Sequence, residues 1–113
     1  MKLGQSQELF MELLPLLLIR ATQQGYKMRC GDLFRDPRAH GDQGETGPYG
    51  RRTSAHKNKL AVDINLFKNG EYLSKTADHY ELGKYWKNLH PLCRWGGDFD
   101  DGNHYSIEHN GIY

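Results

Sequence analysis

The chain has 113 residues, enough for one domain with one modest core and too few for a second. Its 15 Lys and Arg against 14 Asp and Glu give a formal charge of +1, which removes the electrostatic argument for a bulk nucleic-acid binder. The longest apolar run, LFMELLPLLLI at 9–19, is too short to span a bilayer; Glu12 and Pro15 interrupt it and a poor cleavage site follows, so a soluble chain without a signal peptide is expected.

From Ser6 to Gln24 the pattern is helical. Leu9, Leu13, Leu17 and Ala21 recur every fourth residue, flanked by Phe10, Leu14 and Leu18. Ser6 is the expected N-cap, and Glu8 and Glu12 favour the first turns. Pro15 is expected to kink or split the helix, and Gly25 to stop it. YKMRC, 26–30, alternates and reads as a strand. Residues 31–58 then carry Gly, Pro, Asp and Arg with no apolar period, and a loop this long in a small domain is usually functional or mobile.

LAVDINLF, 60–67, is the clearest strand. Asn69-Gly70 is a hairpin turn signal, with EYLS as the return strand. DHYELGKYWKNLHP, 78–91, reads as a helix ended by Pro91, with Leu82, Tyr85, Trp86 and Leu89 as its buried stripe. CRWGGDFDDGNHYSIEH, 93–109, closes the chain as strand, acidic Gly-rich loop and final strand. The order predicts a single small α+β domain over residues 1–113, an antiparallel sheet with helices packed on one face.

Six histidines in so short a chain raise the question of a metal. Cys30 and Cys93 form no CxxC pair, so a structural zinc knuckle is not expected; two reduced, buried thiols are expected, with one disulfide as the alternative. Asp63 interrupts the apolar run of the central strand, where an acid needs a partner. A catalytic metal site needs three ligands from His, Asp, Glu or Cys and a base close by. His56 and Asp63 bracket the entry to the central strand; Asp101 and His104 bracket the entry to the last. A chain reversal over 57–60 would let His56 meet Asp63, and His104 from a neighbouring strand would complete the set, with Asp101 beside it but not a ligand. Taken singly, His56 reads as a surface loop residue, Asp63 as a partner of backbone or Arg, and DDGN as a solvated turn. His40, His79, His90 and His109 are rival ligands, of which His79 and His90 are expected to face solvent and His109 to reach the pocket.

The spacing Ser54-x-His56, six residues, Asp63, and later Asp101-x-x-His104 resembles the M15 family of zinc peptidases. That family contains D-Ala-D-Ala dipeptidases and carboxypeptidases, and phage endolysins that cut the L-alanyl-D-glutamate bond of peptidoglycan. WGGDF at 95–99 is similar to the Trp-Gly-Gly stretch of the endolysin branch, and GDLFRDPR at 31–38 to the segment that carries an arginine near the substrate. The resemblance covers roughly residues 26–109 and implies the hedgehog/D,D-peptidase-like fold. It further implies Zn2+ on His56, Asp63 and His104, Asp101 as general base, Arg35 on the scissile carbonyl or a substrate carboxylate, and Ser54 as a shaping residue at the substrate site. An Asp at 101, where other branches have Glu, is closer to the endolysins. The implied substrate is the peptidoglycan stem peptide, met by a monomer released from the cytoplasm of a phage- or prophage-bearing host. D-Ala-D-Ala cleavage and a non-catalytic zinc-stabilised wall-binding module are the alternatives. The sequence departs from the pattern at Lys59, where the family has Gly, and in the charged loop 36–53, where only Gln43 matches the family's Gln; no wall-binding domain is attached.

Overall fold

The computed structural model describes residues 1–36, 38, 41–45 and 53–113. Helix α1 runs over Leu3–Gln23 and packs Phe10, Leu17 and Ala21 into the core. Two details differ from the sequence expectation. The helix begins before Ser6: Lys2 takes the capping position, and its backbone N–H donates to the Gln5 side chain at 2.9 Å. Ser6 is buried inside the helix instead, with Oγ 3.2 Å from His109 Nδ1. Of the two outcomes expected at Pro15, a split does not occur: the helix runs through it unbroken. The carbonyl that loses its bond to the missing N–H belongs to Met11, which is exposed and open to water. Gly25 ends the helix at φ +88°, where a left-handed residue costs least.

The sheet has five described strands, all antiparallel: β1 Lys27–Cys30, β2 Ala61–Lys68, β3 Glu71–Leu73, β4 Cys93–Trp95 and β5 His104–Ile107. Strand β2 is central. It pairs with β1 along one edge and with β5 and then β3 along the other, while β4 pairs with β5. Asn69 and Gly70 both take positive φ, 53° and 78°, as a two-residue hairpin of the Asn-Gly type requires. Helix α2, Tyr80–Leu89, follows a short 3-10 turn over Thr76–His79.

Register assigns the two faces. Val62 opposes Tyr105, and Asp63 opposes His104. With period two, Val62, Ile64, Leu66, Tyr105 and Ile107 share the buried face. Trp86 of α2 meets that face edge-on to both Phe10 and Tyr105, and its indole N–H reaches the carbonyls of Arg94 and Ser106 at 3.0 Å each. Asp63 and His104 therefore stand together on the opposite face.

Candidate metal centre

The site begins at Ser54. Its backbone is extended, and its Oγ accepts from the His56 N–H at 3.1 Å, capping a 3-10 turn over Ala55–Asn58. The turn ends at Lys59 in the left-handed conformation, φ 59°, which sends Leu60 into the central strand. A left-handed position favours glycine, and this is the position where the resembled pattern has one. The reversal over 57–60 turns His56 inward, where it is 1 % exposed.

His56 Nδ1 lies 3.1 Å from the Leu33 carbonyl, which can only accept, so the proton sits on Nδ1. The other ring nitrogen, Nε2, faces Asp63 Oδ1 at 3.2 Å. His104 Nδ1 approaches the same oxygen at 3.5 Å, and the two imidazole rings stand 5.1 Å apart at 74°. Among the described residues the buried side-chain atoms without a hydrogen-bond partner are His56 Nε2, Asp63 Oδ1, Ser106 Oγ and His104 Nε2, the last being the ring nitrogen that does not face Asp63. Each orphaned polar atom of this kind costs about 1–3 kcal/mol. Burial pushes the Asp63 carboxyl up, but the His104 and His56 imidazoles together outweigh it and hold it at about 2.

One nitrogen or oxygen from each residue lies within 4.8 Å of the others, so the three could hold a metal ion. The donor set is two imidazoles and a carboxylate, with one His already fixed through its far nitrogen by a carbonyl. That is the outer-shell arrangement of bound histidines, and the donor set fits a divalent metal ion.

A cavity of about 390 Å³ opens over this group. Arg35, Ser54, His56, Asp101 and His104 line it, five of the residues singled out in the sequence; Asp63 does not line it and meets the group through His56 and His104. Asp101 is held by its backbone: its N–H donates to Gly96 O at 2.7 Å, and its carbonyl accepts from His104 N at 3.1 Å. Trp95 Nε1 pins the same turn through Gly102 O at 2.7 Å. The Asp101 carboxylate is exposed and has no hydrogen bond or ion pair among the described residues. A Cβ on Gly96 would stand 2.0 Å from Asp101 O and 2.6 Å from His104 Cβ, so the second Trp-Gly-Gly residue must be small for the turn to close. Arg35 donates its backbone N–H to His56 O at 3.2 Å, and one long contact, 3.4 Å, ties its guanidinium to Asp32.

Sequence reasoning missed some of the site. The Leu33 carbonyl has no side-chain signature. Phe99 and Tyr113 also line the cavity, with rings 5.9 Å apart. The rival histidines go elsewhere. His79 is buried, 2.8 Å from the Tyr105 hydroxyl, and does not face solvent. His90 is half-buried and accepts from Leu92 N, and His109 turns to Ser6 and does not line the cavity. His40 lies outside the described residues. Cys30 and Cys93 are free thiols, but only Cys93 is buried: Cys30, at the end of edge strand β1, is exposed, against the expectation, while burial pushes the Cys93 thiol up to about 12. Among the described residues no helix is long and apolar enough to cross a membrane. Comparison of the chain with protein-family models, curated proteins and solved structures finds no match.

Proposed function

We propose that the chain is a zinc-dependent peptidase of the M15 type, which hydrolyses the L-alanyl-D-glutamate bond of the peptidoglycan stem peptide in the manner of an endolysin. One observation carries the reading: His56, Asp63 and His104 each bring a ligand atom within 4.8 Å of the others, beside a cavity that His56 and His104 line together with Asp101 and Arg35. The fold it implies is the hedgehog/D,D-peptidase-like one, and the antiparallel α+β architecture is compatible with it.

His56, Asp63 and His104 would hold the ion, which supplies Lewis acidity toward a peptide carbonyl and lowers the pKa of a water. Asp101 takes the proton of the attacking water on its carboxylate and returns it to the leaving nitrogen. Its uncommitted carboxylate and anchored backbone suit that work. The Arg35 guanidinium, only loosely held by Asp32, is available to a carbonyl oxygen or a carboxylate of the substrate. Ser54 is not a nucleophile: its hydroxyl is engaged in holding the His56 turn.

Arg35 also supports a second reading, D-Ala-D-Ala carboxypeptidase or dipeptidase activity, because a free terminal carboxylate is a good guanidinium partner. A wall-binding module without activity has no use for Asp101 at this place. Mass spectrometry of purified peptidoglycan fragments, after incubation with zinc-loaded protein beside a chelated control, separates the three. The expected result is a chelator-sensitive cut between L-Ala and D-Glu. Loss of a terminal D-Ala moves the activity to the carboxypeptidase branch, and no cut with zinc tightly held leaves the binding module.

A further inference from the structure

Gln43 reaches across 11 positions of sequence and grips the backbone of Ser54 on both sides: Gln43 Nε2 donates to Ser54 O at 2.6 Å, and Ser54 N donates to Gln43 Oε1 at 2.7 Å. Ser54 is extended, φ −160° and ψ 139°, so its own N–H and C=O point the same way. A carboxamide offers one donor and one acceptor in a plane at matching separation, and of the ordinary side chains only Gln and Asn carry that pair.

The grip leads directly to the metal ligand. Ser54 Oγ accepts from His56 N, and Ser54 O also accepts from Lys57 N at 3.1 Å. Two earlier residues also reach His56, through Arg35 N to His56 O at 3.2 Å and through the Leu33 carbonyl to Nδ1 at 3.1 Å. Lys57 Nζ adds bonds to the carbonyls of Asp42 and Glu45, at 3.2 and 2.8 Å. Asp63 and His104 are fixed to each other by the sheet. His56 stands on a short turn outside it, held on one side by this strap of contacts and on the other by α1, where Gln7 Nε2 donates to Asn58 O at 2.9 Å.

We propose that Gln43 is a positioning residue for the metal centre: by clamping Ser54 it orients His56, and it thereby sets the affinity of the His56–Asp63–His104 group for a divalent ion. The inference rests on the reading of that group as a metal site. It also couples the two states thermodynamically: an ion held by His56 stabilises the strap, and the strap tightens the hold on the ion.

The test uses the full chain as wild type, Gln43→Ala and Gln43→Glu. Zinc affinity is measured by competition with a chromophoric chelator, and the cobalt-substituted proteins are compared by visible absorption. Thermal unfolding of the metal-free proteins runs in parallel. Outer-shell partners of metal ligands are worth about tenfold to a hundredfold in affinity, and Gln43→Ala is expected to lose that much. Gln43→Glu keeps the acceptor for Ser54 N but loses the donor, and it is expected to fall between Ala and wild type. The cobalt spectrum of both is expected to shift, which a change in general stability does not cause. Equal affinities and identical cobalt spectra in all three proteins overturn the role of Gln43 and leave the metal site standing. If Gln43→Ala does not fold, Gln43→Glu decides alone: wild-type affinity and spectrum there also overturn it. Failure of the wild type to bind zinc or cobalt overturns the metal reading, and this inference with it.

Discussion

Asp63 and His104 are register partners on adjacent antiparallel strands, and Asp63 Oδ1 stands 3.5 Å from His104 Nδ1. The pair is held by the sheet itself. Asp63 is locked on its other edge as well, its N–H donating to Asp32 O at 2.8 Å and its carbonyl accepting from Gly31 N at 2.7 Å. Two of the three candidate ligands are thus preorganised by the strands, and the third is delivered by the His56 turn.

Deleting either imidazole should empty the site. His56→Ala and His104→Ala are each expected to weaken zinc binding by more than about a hundredfold, beyond what loss of an outer-shell partner does. Zinc content after dialysis reads this directly. Stability gives a second reading: at zinc about a hundred times the dissociation constant, wild type should gain about 2.7 kcal/mol over the chelated protein, and the variants almost none. Stoichiometric zinc retained by both variants rejects the ligand assignment.

The parts of the fold set by local chemistry were legible in the sequence. The alternation of LAVDINLF, the Asn69-Gly70 turn and the Leu82–Trp86 stripe each follow from a short-range rule, and each appears where the rule puts it. The three donor residues were legible because their spacing matches a chain reversal and two strand entries. What was hidden depended on distant partners. His79 lies inside because a 3-10 turn precedes α2 and aims its ring at Tyr105, a residue of the last strand. Pro15 is tolerated because the affected turn faces water. Leu33 enters through a main-chain carbonyl, which any residue type could supply. Gln43 stood in a loop without period, and its meaning required knowing where Ser54 would lie.

Removing the base should separate binding from turnover. Asp101→Ala and Asp101→Asn are expected to keep zinc, because the Asp101 side chain makes no bond to the three donors and its backbone closes the turn. Peptidoglycan cleavage should fall by about a hundredfold to ten-thousandfold, the usual contribution of a positioned acid or base. Bound zinc and cleavage rate are measured on the same preparations. Cleavage at the wild-type rate by either variant removes Asp101 from the mechanism.

Two glycines predict opposite signs for the same substitution. Gly96→Ala places a methyl group into the Asp101 carbonyl and the His104 Cβ, both parts of backbone or ligand that cannot swing aside. It should destabilise the fold by about 1–3 kcal/mol, the usual cost of overpacking, and weaken zinc binding as His104 is displaced. Gly4→Ala meets nothing within 4 Å and lies in the first turn of α1. Helix propensity should make it stabilising by up to about 1 kcal/mol, without effect on zinc. Urea unfolding of the two variants against wild type gives both signs in one experiment, and a neutral Gly96→Ala would contradict the close packing of the turn.

The pH dependence of stability should carry the mark of His79. Burial lowers its pKa from the ordinary 6.5 to about 4, against a smaller opposing pull from Asp78. Between those values the unfolded chain binds a proton that the folded chain refuses, so stability rises with pH across this window and falls on acidification. The shift corresponds to about 3 kcal/mol lost between pH 6.5 and pH 4. Above 6.5 the ring is neutral in both states and contributes no slope. The His79→Asn variant keeps a polar partner for the Tyr105 hydroxyl but cannot take the proton. Its urea midpoints, measured over the same range, should decline much less than those of the wild type, the difference being the His79 contribution. Parallel curves for the two proteins would mean that His79 takes up its proton in the folded state without resistance, and that the acid sensitivity arises elsewhere.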